Sequence, residues 1–398
     1  MRNISLGEIA DSLPCEYGED PVDGEPTFDV VKVSNIDGRG LFHGVFEKRC
    51  FRADQLDKLL VKDGELLVVK SSGSKANILS GKTAICDKDR AGKIVASNFL
   101  MRIRVDESKA VPRFLWYVLN SGASKDFVKT IVGASTYPNI KWSLYSSHPI
   151  PLPPLSEQRR IADILDRADA LRAKRRAALA RLDELTQAIF IELFGDPATN
   201  PKGLPVEPIS NLSSVKHGYA FKSEYFTDAG EFILLTPGNF YEGGGYRNRG
   251  DKQKYYVGPI PIGYTLNKDA LLVAMTEQAP GLLGSPILVP ESNKFLHNQR
   301  LGLVEVKPGA DRLFLFHLFN TPAIRNQIQA SSTGTKVKHT SPSKITAIMI
   351  PVPPISLQRE FAWRITAVEA LKTAQHASLT KSDALFASLQ DRAFRGAL

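Results

Sequence analysis

The chain carries the same motif twice, at an offset of 200 residues. Residues 151–159 read PLPPLSEQR, and residues 351–359 read PVPPISLQR. The offset holds upstream, where RFLWYVLNS at 113–121 corresponds to LFLFHLFNT at 313–321, and downstream, where Phe194 corresponds to Phe394. A long internal repeat is the signature of a duplicated structural module. The chain therefore contains two copies of one module, each a globular head followed by a helix.

This organisation predicts an α+β fold with two tandem mixed α/β domains and a pseudo-twofold internal repeat. We expect a first head at residues 1–150, a central helix at 151–197, a second head at 198–350 and a C-terminal helix at 351–398. Alternating β-branched runs bounded by Gly, Asp and Ser predict the strands of each head. The proline-rich segments HPIPLPP and IMIPVPP predict edge strands, because proline has no N–H to donate to a sheet.

The helix after the first head has a strong apolar pattern. Ser156 is expected to cap it, and Gly195 to end it. At 1.5 Å per residue such a helix is roughly 58 Å long. The second helix has a similar apolar face, so we expect the two to pack antiparallel as a coiled coil. The heptad positions of the first helix are Ile161, Ile164, Ala168, Leu171, Arg175, Ala178, Leu182, Leu185 and Ile189.

The composition is that of an ordinary globular protein, with 43% hydrophobic and 23% charged residues among 398. The sequence contains no run of about 18 apolar residues, so no membrane helix is predicted. The N-terminus lacks an apolar signal core. We therefore expect a cytoplasmic protein without membrane contact. The three cysteines are scattered and no histidine pair has metal-ligand spacing, which argues against a disulfide framework or a metal site.

The net charge of +9 is concentrated in the heads. Residues 198–350 hold sixteen basic and eleven acidic side chains, whereas residues 151–197 hold eight of each. A basic globular surface favours a polyanionic partner. A protein with two related halves suits a target with two halves, and duplex DNA is the commonest such target.

Catalytic motifs are missing from the sequence. The two Pro-Pro pairs follow Leu152 and Val352, which cannot supply the amide or carboxylate used by the base-binding loop of amino-methyltransferases. Neither a glycine-rich nucleotide-binding loop nor a nuclease carboxylate pattern occurs. We therefore expect no catalytic residue, no metal ligand and no cofactor, and we expect other proteins to carry out any chemistry.

The repeated P-[LV]-P-P-[LI]-S-x-Q-R motif and the heptad helix that ends in FGDP at 194–197 resemble the specificity (S) subunit of Type I DNA restriction–modification enzymes. The resemblance covers the whole chain. It implies a non-catalytic subunit that reads a bipartite double-stranded DNA target. The two half-sites of such a target lie about one helical turn apart. It also implies binding to two modification subunits, which methylate adenine N6 with S-adenosylmethionine. In the larger complex two restriction subunits join them, so ATP and Mg²⁺ also belong to the partners. One departure is that Leu357 and Trp363 replace Glu157 and Asp163 in the second copy, which weakens the expectation of equal partner contacts.

Candidate DNA-binding residues are polar or basic side chains in glycine-flanked loops, where Lys and Ser suit phosphate and Asn and Gln suit base edges. In the first head they are Lys32, Ser34, Asn35, Lys70, Ser71, Ser72, Lys75, Ser135, Thr136, Tyr137, Asn139 and Lys141. In the second head they are His217, Tyr219, Lys222, Asn239, Thr276, Glu277, Gln278, Thr335, Lys336, Lys338 and His339. Candidate partner-binding residues on the helices are Ile161, Leu171, Arg172, Arg175, Leu182, Leu185, Leu371 and Leu385.

Three alternatives remain open on sequence alone. The chain could be the recognition subunit of a related fused methyltransferase–nuclease system, a coiled-coil structural adaptor, or an enzyme with an unrecognised site. Salt-dependent binding to duplex DNA separates recognition from the adaptor role. Methyl transfer by the isolated chain would identify an enzyme.

Overall fold

The computed structural model describes residues 2–71, 73–74, 77–132, 139–278 and 280–398. The chain divides into two compact units. The first comprises Met1–Ala177 and Ala377–Leu398, and the second comprises Ala178–His376. Both boundaries fall inside the long helices, so each unit holds one head together with one segment of each helix.

The first head is a mixed α/β domain. Its helices are α1 (Ala53–Leu59), α2 (Pro112–Leu119), α3 (Gly122–Val132) and α4 (Trp142–Tyr145). Its strands are β1 (Asn3–Ser5), β2 (Ala10–Leu13), β3 (Phe28–Val31), β4 (Glu47–Arg49), β5 (Leu66–Val69), β6 (Gly73–Ser74), β7 (Asn77–Ile78), β8 (Thr83–Ile85), β9 (Ile94–Ala96), β10 (Leu100–Val105) and β11 (Pro149–Pro151). The long helix α5 follows at Leu155–Phe194.

The second head repeats this order with longer loops. Its strands are β12 (Val206–Pro208), β13 (Ser213–His217), β14 (Phe226–Thr227), β15 (Phe232–Leu234), β16 (Tyr255–Tyr256), β17 (Thr265–Leu266), β18 (Leu271–Ala274), β19 (Thr276–Glu277), β20 (Pro286–Leu288), β21 (Phe295–Leu296), β22 (Leu301–Val306), β23 (Lys338–His339) and β24 (Met349–Pro351). Its helices are α6 (Arg312–Phe319), α7 (Pro322–Ala330) and α8 (Pro342–Thr346), and the long helix α9 spans Ile355–Arg395.

The sheets confirm the internal repeat. The antiparallel order β2-β10-β5-β8 in the first head corresponds to β13-β22-β18-β20 in the second. The parallel pair β3·β9 corresponds to β15·β21. Each proline-rich strand pairs only with the first strand of its head, β11 with β1 and β24 with β12, as expected for edge strands. The α+β fold with two tandem heads and two long helices is therefore confirmed.

The central strand of each large sheet is buried on both faces. In β5, Leu66 and Val68 pack against α2, α5 and the N-terminal turn, while Leu67 and Val69 face the smaller sheet. This division follows from the two-residue period of a strand. The strand β18 divides its side chains in the same way between two apolar clusters. The large sheet thereby joins a helical layer to a layer of short strands and loops in each head.

A buried glutamine explains the repeated motif. Gln158 accepts a hydrogen bond from the backbone N–H of Val111, just before α2, at 2.8 Å, and its amide donates to Pro153 O at 2.8 Å. In the second head Gln358 accepts from Asp311 N at 2.9 Å and donates to Pro353 O at 2.8 Å. Each glutamine thus fastens the start of a long helix to its head.

The predicted start of the first long helix was wrong, and its predicted end was right. The long helix begins at Leu155, so Ser156 lies in its first turn, and Pro154 stands at the capping position with its carbonyl accepting from Glu157 N and Gln158 N. Proline is well placed before a helix because its fixed φ leads into the first turn. The predicted end is confirmed: Gly195 follows Phe194 with a φ of 77°, a conformation that favours glycine.

Within each unit the two helix segments run antiparallel. In the first unit, Arg172 Nε lies 2.6 Å from Asp383 Oδ1, and Arg160 donates to Leu398 O at 3.0 Å. In the second unit, Lys372 Nζ lies 2.9 Å from Asp183 Oδ1. The contact numbers fall on one helix as they rise on the other, which confirms the antiparallel arrangement inside each unit.

The predicted heptad seam of α5 is buried at its two ends, Ile161 and Ile189, but its middle part has the wrong phase. Leu171, Leu185, Leu371 and Leu385 have exposed fractions of 56%, 44%, 55% and 58%. The buried face of α5 instead runs through Leu165, Leu179 and Thr186. A straight α-helix has 3.6 residues per turn, so a strict seven-residue repeat drifts about 20° around it per heptad. The seam residues Leu171 and Leu185 consequently face outward, as do Leu371 and Leu385 on α9.

Candidate nucleic-acid interface

A cleft lies in the first head beside the loop after β3. It has a volume of about 810 Å³, and its lining includes Tyr17, Lys32, Ser34, Lys82 and Phe99. The loop after β3 is held by Asn35, which is 4% exposed. Asn35 Oδ1 accepts from Lys32 N at 3.0 Å, and its Nδ2 donates to His43 O at 3.2 Å. Asn35 therefore shapes the cleft from inside, and its amide is already occupied within the head.

Lys32 forms an ion pair with Glu47. Hydrogen bonds from Lys32, Tyr17 and Arg49 lower the pKa of Glu47 to about 2, and the same contact raises the pKa of Lys32. Both side chains are part-exposed. The carboxylate is ionised at neutral pH and fixes the position of the Lys32 ammonium at the cleft, while Ser34 in the same loop is exposed.

A second groove of the first head collects three more predicted residues. It has a volume of about 450 Å³ and is lined in part by Lys70, Asn139 and Lys141. Ser71 pairs with Asn139 across an antiparallel bridge. The remaining predictions of this head, Ser72, Lys75, Ser135, Thr136 and Tyr137, lie outside the described residues.

The second head has a cleft at the corresponding loop. Its volume is about 540 Å³. It brings together the predicted residues Thr276, Gln278 and His339 with residues of the loop after β15. The full lining is Thr236, Pro237, Gly238, Arg249, Lys254, Thr276, Glu277, Gln278, Leu282, Arg300, Val337 and His339. Asn239 itself is 1% exposed and, like Asn35, is turned into the head.

Glu277 is a structural residue at the floor of this cleft. It is 4% exposed. One carboxylate oxygen accepts from Leu282 N at 2.9 Å and Leu283 N at 2.7 Å, and the other accepts from Gln329 Nε2 at 2.6 Å. Burial opposes ionisation, but these hydrogen bonds outweigh it and lower the pKa of Glu277. The ionised carboxylate holds the loop in place through these hydrogen bonds.

Several predicted residues are not gathered into the cleft. Tyr219 packs edge-on against Phe221, with ring centroids 5.1 Å apart. Lys222 forms an ion pair with Glu224 at 3.8 Å. His217 lies two residues before Tyr219 and does not line the cleft. Lys338 donates to Gln329 at 3.0 Å beside the cleft. Thr335 and Lys336 are exposed in the loop before β23.

The residues of the two clefts that sequence reasoning missed include Phe99, Arg249, Lys254 and Arg300. Phe99 was read as part of a strand, but it lies one residue before β10 and is 58% exposed. Arg300 occupies the corresponding place before β22. Arg249 belongs to the glycine-rich loop EGGGYRNRG, where a basic residue between glycines was the available signal.

On the helices, the predicted partner-binding residues fall into two groups. Ile161 is fully buried in the core of its own unit, and Leu182 is part-buried, so Ile161 has no surface to offer a partner. Arg172 pairs with Asp169 and Asp383, and Arg175 is half-buried. The exposed group is Leu171, Leu185, Leu371 and Leu385.

Within the described ranges no cluster of three or more His, Cys, Asp or Glu side chains has metal-site geometry. None of the helices in that part of the chain is both long and apolar enough to cross a membrane.

The family model for the Type I restriction modification DNA specificity domain matches the chain twice, at residues 54–181 and 201–381. The chain belongs to this family. The specificity-domain chain is 23% identical over 305 residues to a putative Type I restriction enzyme MjaX specificity subunit of Methanocaldococcus jannaschii, covering 73% of this chain and 69% of that protein. It is 20% identical to the MjaVIII specificity subunit of the same organism, covering 79% and 74%. It is 26% identical to the EcoBI specificity subunit of Escherichia coli over 39% of this chain and 30% of that one.

Solved structures show the same fold. The S subunit of a Type I restriction–modification system from M. genitalium aligns with a TM-score of 0.59 at 14% identity, over 99% of this chain and 96% of that one. A chain from a study of complex assembly and conformational transition of the type I R-M system aligns with a TM-score of 0.57 at 19% identity, over 100% and 98%. The match to the family model makes the chain a DNA sequence-recognition protein of the Type I restriction–modification class. The two clefts are the candidate recognition surfaces.

Proposed function

We propose that this chain is the non-catalytic specificity subunit of a Type I restriction–modification complex. Each head reads one half of a bipartite double-stranded DNA target. The helices recruit two copies of an adenine-N6 modification subunit, and restriction subunits join the larger complex. S-adenosylmethionine, ATP and Mg²⁺ are used by the partners and not by this chain. Since its target is host and phage DNA, we expect it to act in the cytoplasm.

The observation that carries this proposal is a repeated pair of outward-facing leucines. The first unit exposes Leu171 and Leu385, and the second unit exposes Leu371 and Leu185. The offset of 200 residues turns one pair into the other. The two units therefore present the same exposed side chains at the same repeat positions, which suits two copies of one partner.

In each unit the two leucines lie at the same level of the helix pair. In the first unit, Arg172 bonds Asp383 at 2.6 Å and stacks over the ring of Phe386 with 4.2 Å to the centroid, so their neighbours Leu171 and Leu385 are level. In the second unit, Lys372 Nζ bonds Asp183 at 2.9 Å and Thr186 at 3.3 Å. Leu371 and Leu185, which adjoin these residues, are level too.

Exposed leucines of this kind are suitable anchors for a partner. Burying one leucine side chain in an interface contributes about 1.5–3 kcal/mol. The flanking Arg172 and Lys372 are held by carboxylates, so they rim each pair without competing for it.

The test is to remove one pair at a time and count bound partners. The L171D/L385D variant should bind one modification subunit in place of two, because an unpaired carboxylate in an apolar interface costs several kcal/mol. The L371D/L185D variant should likewise bind one, and the fourfold variant none. Native mass spectrometry of the reconstituted complex measures the stoichiometry.

The matched control carries aspartate at exposed apolar residues of a head, V257D/I262D, where both side chains are exposed. It should still bind two modification subunits. Full recruitment by the fourfold leucine variant would refute the docking assignment. Methyl transfer from labelled S-adenosylmethionine to DNA by this chain alone would refute the non-catalytic role.

A further inference from the structure

The two heads present one loop frame with different side chains. In each, the loop after β3 or its counterpart β15 is closed by a buried asparagine, which accepts from the backbone N–H three residues earlier and donates to a carbonyl eight residues later. The equivalent bonds are Lys32 N to Asn35 and Asn35 to His43 O at 3.0 and 3.2 Å, and Thr236 N to Asn239 and Asn239 to Arg247 O at 3.0 and 3.3 Å.

A second set of backbone bonds fixes one more position on each frame. The carbonyl of Phe99 accepts from Lys70 N at 2.9 Å, and the carbonyl of Arg300 accepts from Met275 N at 2.9 Å. In both heads the next residue begins the long central strand, β10 or β22. Positions 99 and 300 therefore have equivalent backbone environments, each at the edge of the cleft of its own head.

The side chains at these positions differ in their chemistry, because Phe99 is apolar and Arg300 is a charged hydrogen-bond donor. Phe99 is 58% exposed and lines a cleft that also contains Lys32 and Lys82. An apolar ring left open to water among lysines gains free energy when a ligand covers it.

Arg300 lines the other cleft, with Arg249 and Lys254, and is exposed. Among the described residues no carboxylate forms an ion pair with the Arg300 guanidinium, and none pairs with Arg249. The Arg300 donors are thus available to a ligand.

DNA offers a distinct partner for each. A guanidinium binds O6 and N7 of guanine in the major groove with two hydrogen bonds, while a phenyl ring packs against the C5-methyl group of thymine. A rigid backbone helps both, because a reader held in place discriminates between bases better than one on a mobile loop.

We propose that residues 99 and 300 are equivalent base-reading positions: Arg300 reads a guanine in the half-site of the second head, and Phe99 contacts a thymine methyl group in the half-site of the first. The proposal rests on the proposed function, since it names the readers of the two half-sites. It assigns specificity to a matched pair of residues on a shared frame.

The experiment uses the full chain assembled with its modification subunit and a library of duplexes randomised at each half-site. In R300A, discrimination should fall about 5- to 150-fold at one G·C pair of the second half-site, the range expected for loss of a bidentate contact. In F99A, discrimination should fall at one A·T pair of the first half-site. The control R312A removes an exposed arginine of α6 that does not line the cleft and should leave the whole profile unchanged.

An exchange variant gives the positive test. F99R should create a guanine preference at one position of the first half-site and leave the second half-site as it was. Circular dichroism confirms that each variant is folded.

Two outcomes overturn the inference. If R300A weakens binding equally for all duplexes and lowers the salt dependence, Arg300 contacts a phosphate. If R300A leaves the sequence profile unchanged, Arg300 does not read a base. A wild-type complex without any sequence preference would overturn the proposed function itself, and so the two failures are distinguishable.

Discussion

Gln158 and Gln358 illustrate how one side chain serves as a joint. Both are fully buried. Each uses its amide oxygen for a backbone N–H at the start of a head helix and its amide nitrogen for a proline carbonyl. Glutamine fits because it carries both an acceptor and a donor at the end of a chain long enough to bridge the two elements.

We predict that Q158A destabilises the first unit and Q358A the second. Each substitution leaves a buried N–H and a buried carbonyl without partners, which costs about 1–3 kcal/mol for each group. Urea unfolding followed by circular dichroism should show a lower midpoint for the affected unit. Q187A, which removes an exposed glutamine of α5, is the control and should leave both midpoints in place. Equal midpoints for Q158A and Q187A would contradict the joint.

Two buried histidines make stability depend on pH. His148 is 3% exposed and contacts Ser124 Oγ at 2.7 Å, and His297 is fully buried with Leu301 O at 2.9 Å. Burial disfavours the charged ring and lowers the pKa of each histidine to about 4.

The unfolded chain takes up these protons near pH 6.5, whereas the folded chain resists them until about pH 4. Stability is therefore complete above pH 6.5 and is lost as the pH falls through this window, by up to roughly 3 kcal/mol per histidine. Urea midpoints measured between pH 7.5 and 4.5 should decline. H148Q should flatten the decline of the first unit, and H43Q, at an exposed histidine, should not. An equal decline in both variants would count against His148.

At the scale of elements, the sequence was most informative where periodicity and burial agree. The strands β5 and β18 and the helices α2 and α6 were predicted from apolar runs that the structure buries. The helices α3 and α7 went unnoticed, because their sequences GASKDFVKTIV and PAIRNQIQA contain fewer apolar residues than α2 and α6. The phase of the α5 stripe was also out of reach, since it depends on which side of the helix meets the head.

The candidate site was predictable as a set of loops but not as a set of side chains. Asn35 and Asn239 have the composition of readers, yet both bond to their own backbone, which is what asparagine in a tight turn commonly does. Phe99 has the composition of a strand residue, yet it is exposed at a cleft. Polarity identifies the loop, and only the fold shows which side chain faces outward.

At the scale of the whole molecule, the repeat is faithful in its frame and unequal in its surface. The second unit exposes Trp363 by 73% and Ile191 by 49%. The first unit has the exposed acids Asp163 and Asp391 at the positions 200 residues away. The exposed leucine pairs are shared by the two units, but the second unit adds apolar surface and the first adds negative charge.

Specificity should be modular. Replacing residues 1–150 with the first head of another family member should change one half of the methylated sequence and leave the other half unchanged. Gln158 and its proline partner lie outside the exchanged segment, and so the joint can re-form with the new head. Mapping of adenine methylation in a host carrying the hybrid measures the outcome. A change in both half-sites would contradict modularity.

The identical joints at Gln158 and Gln358 have a consequence for inheritance. Both heads are attached through equivalent hydrogen bonds to a glutamine. We therefore expect a gene segment that encodes one head to function at either of the two head positions in the chain. A pool of interchangeable segments then yields targets in pairwise combination, so that the repertoire of a population grows with the square of the pool.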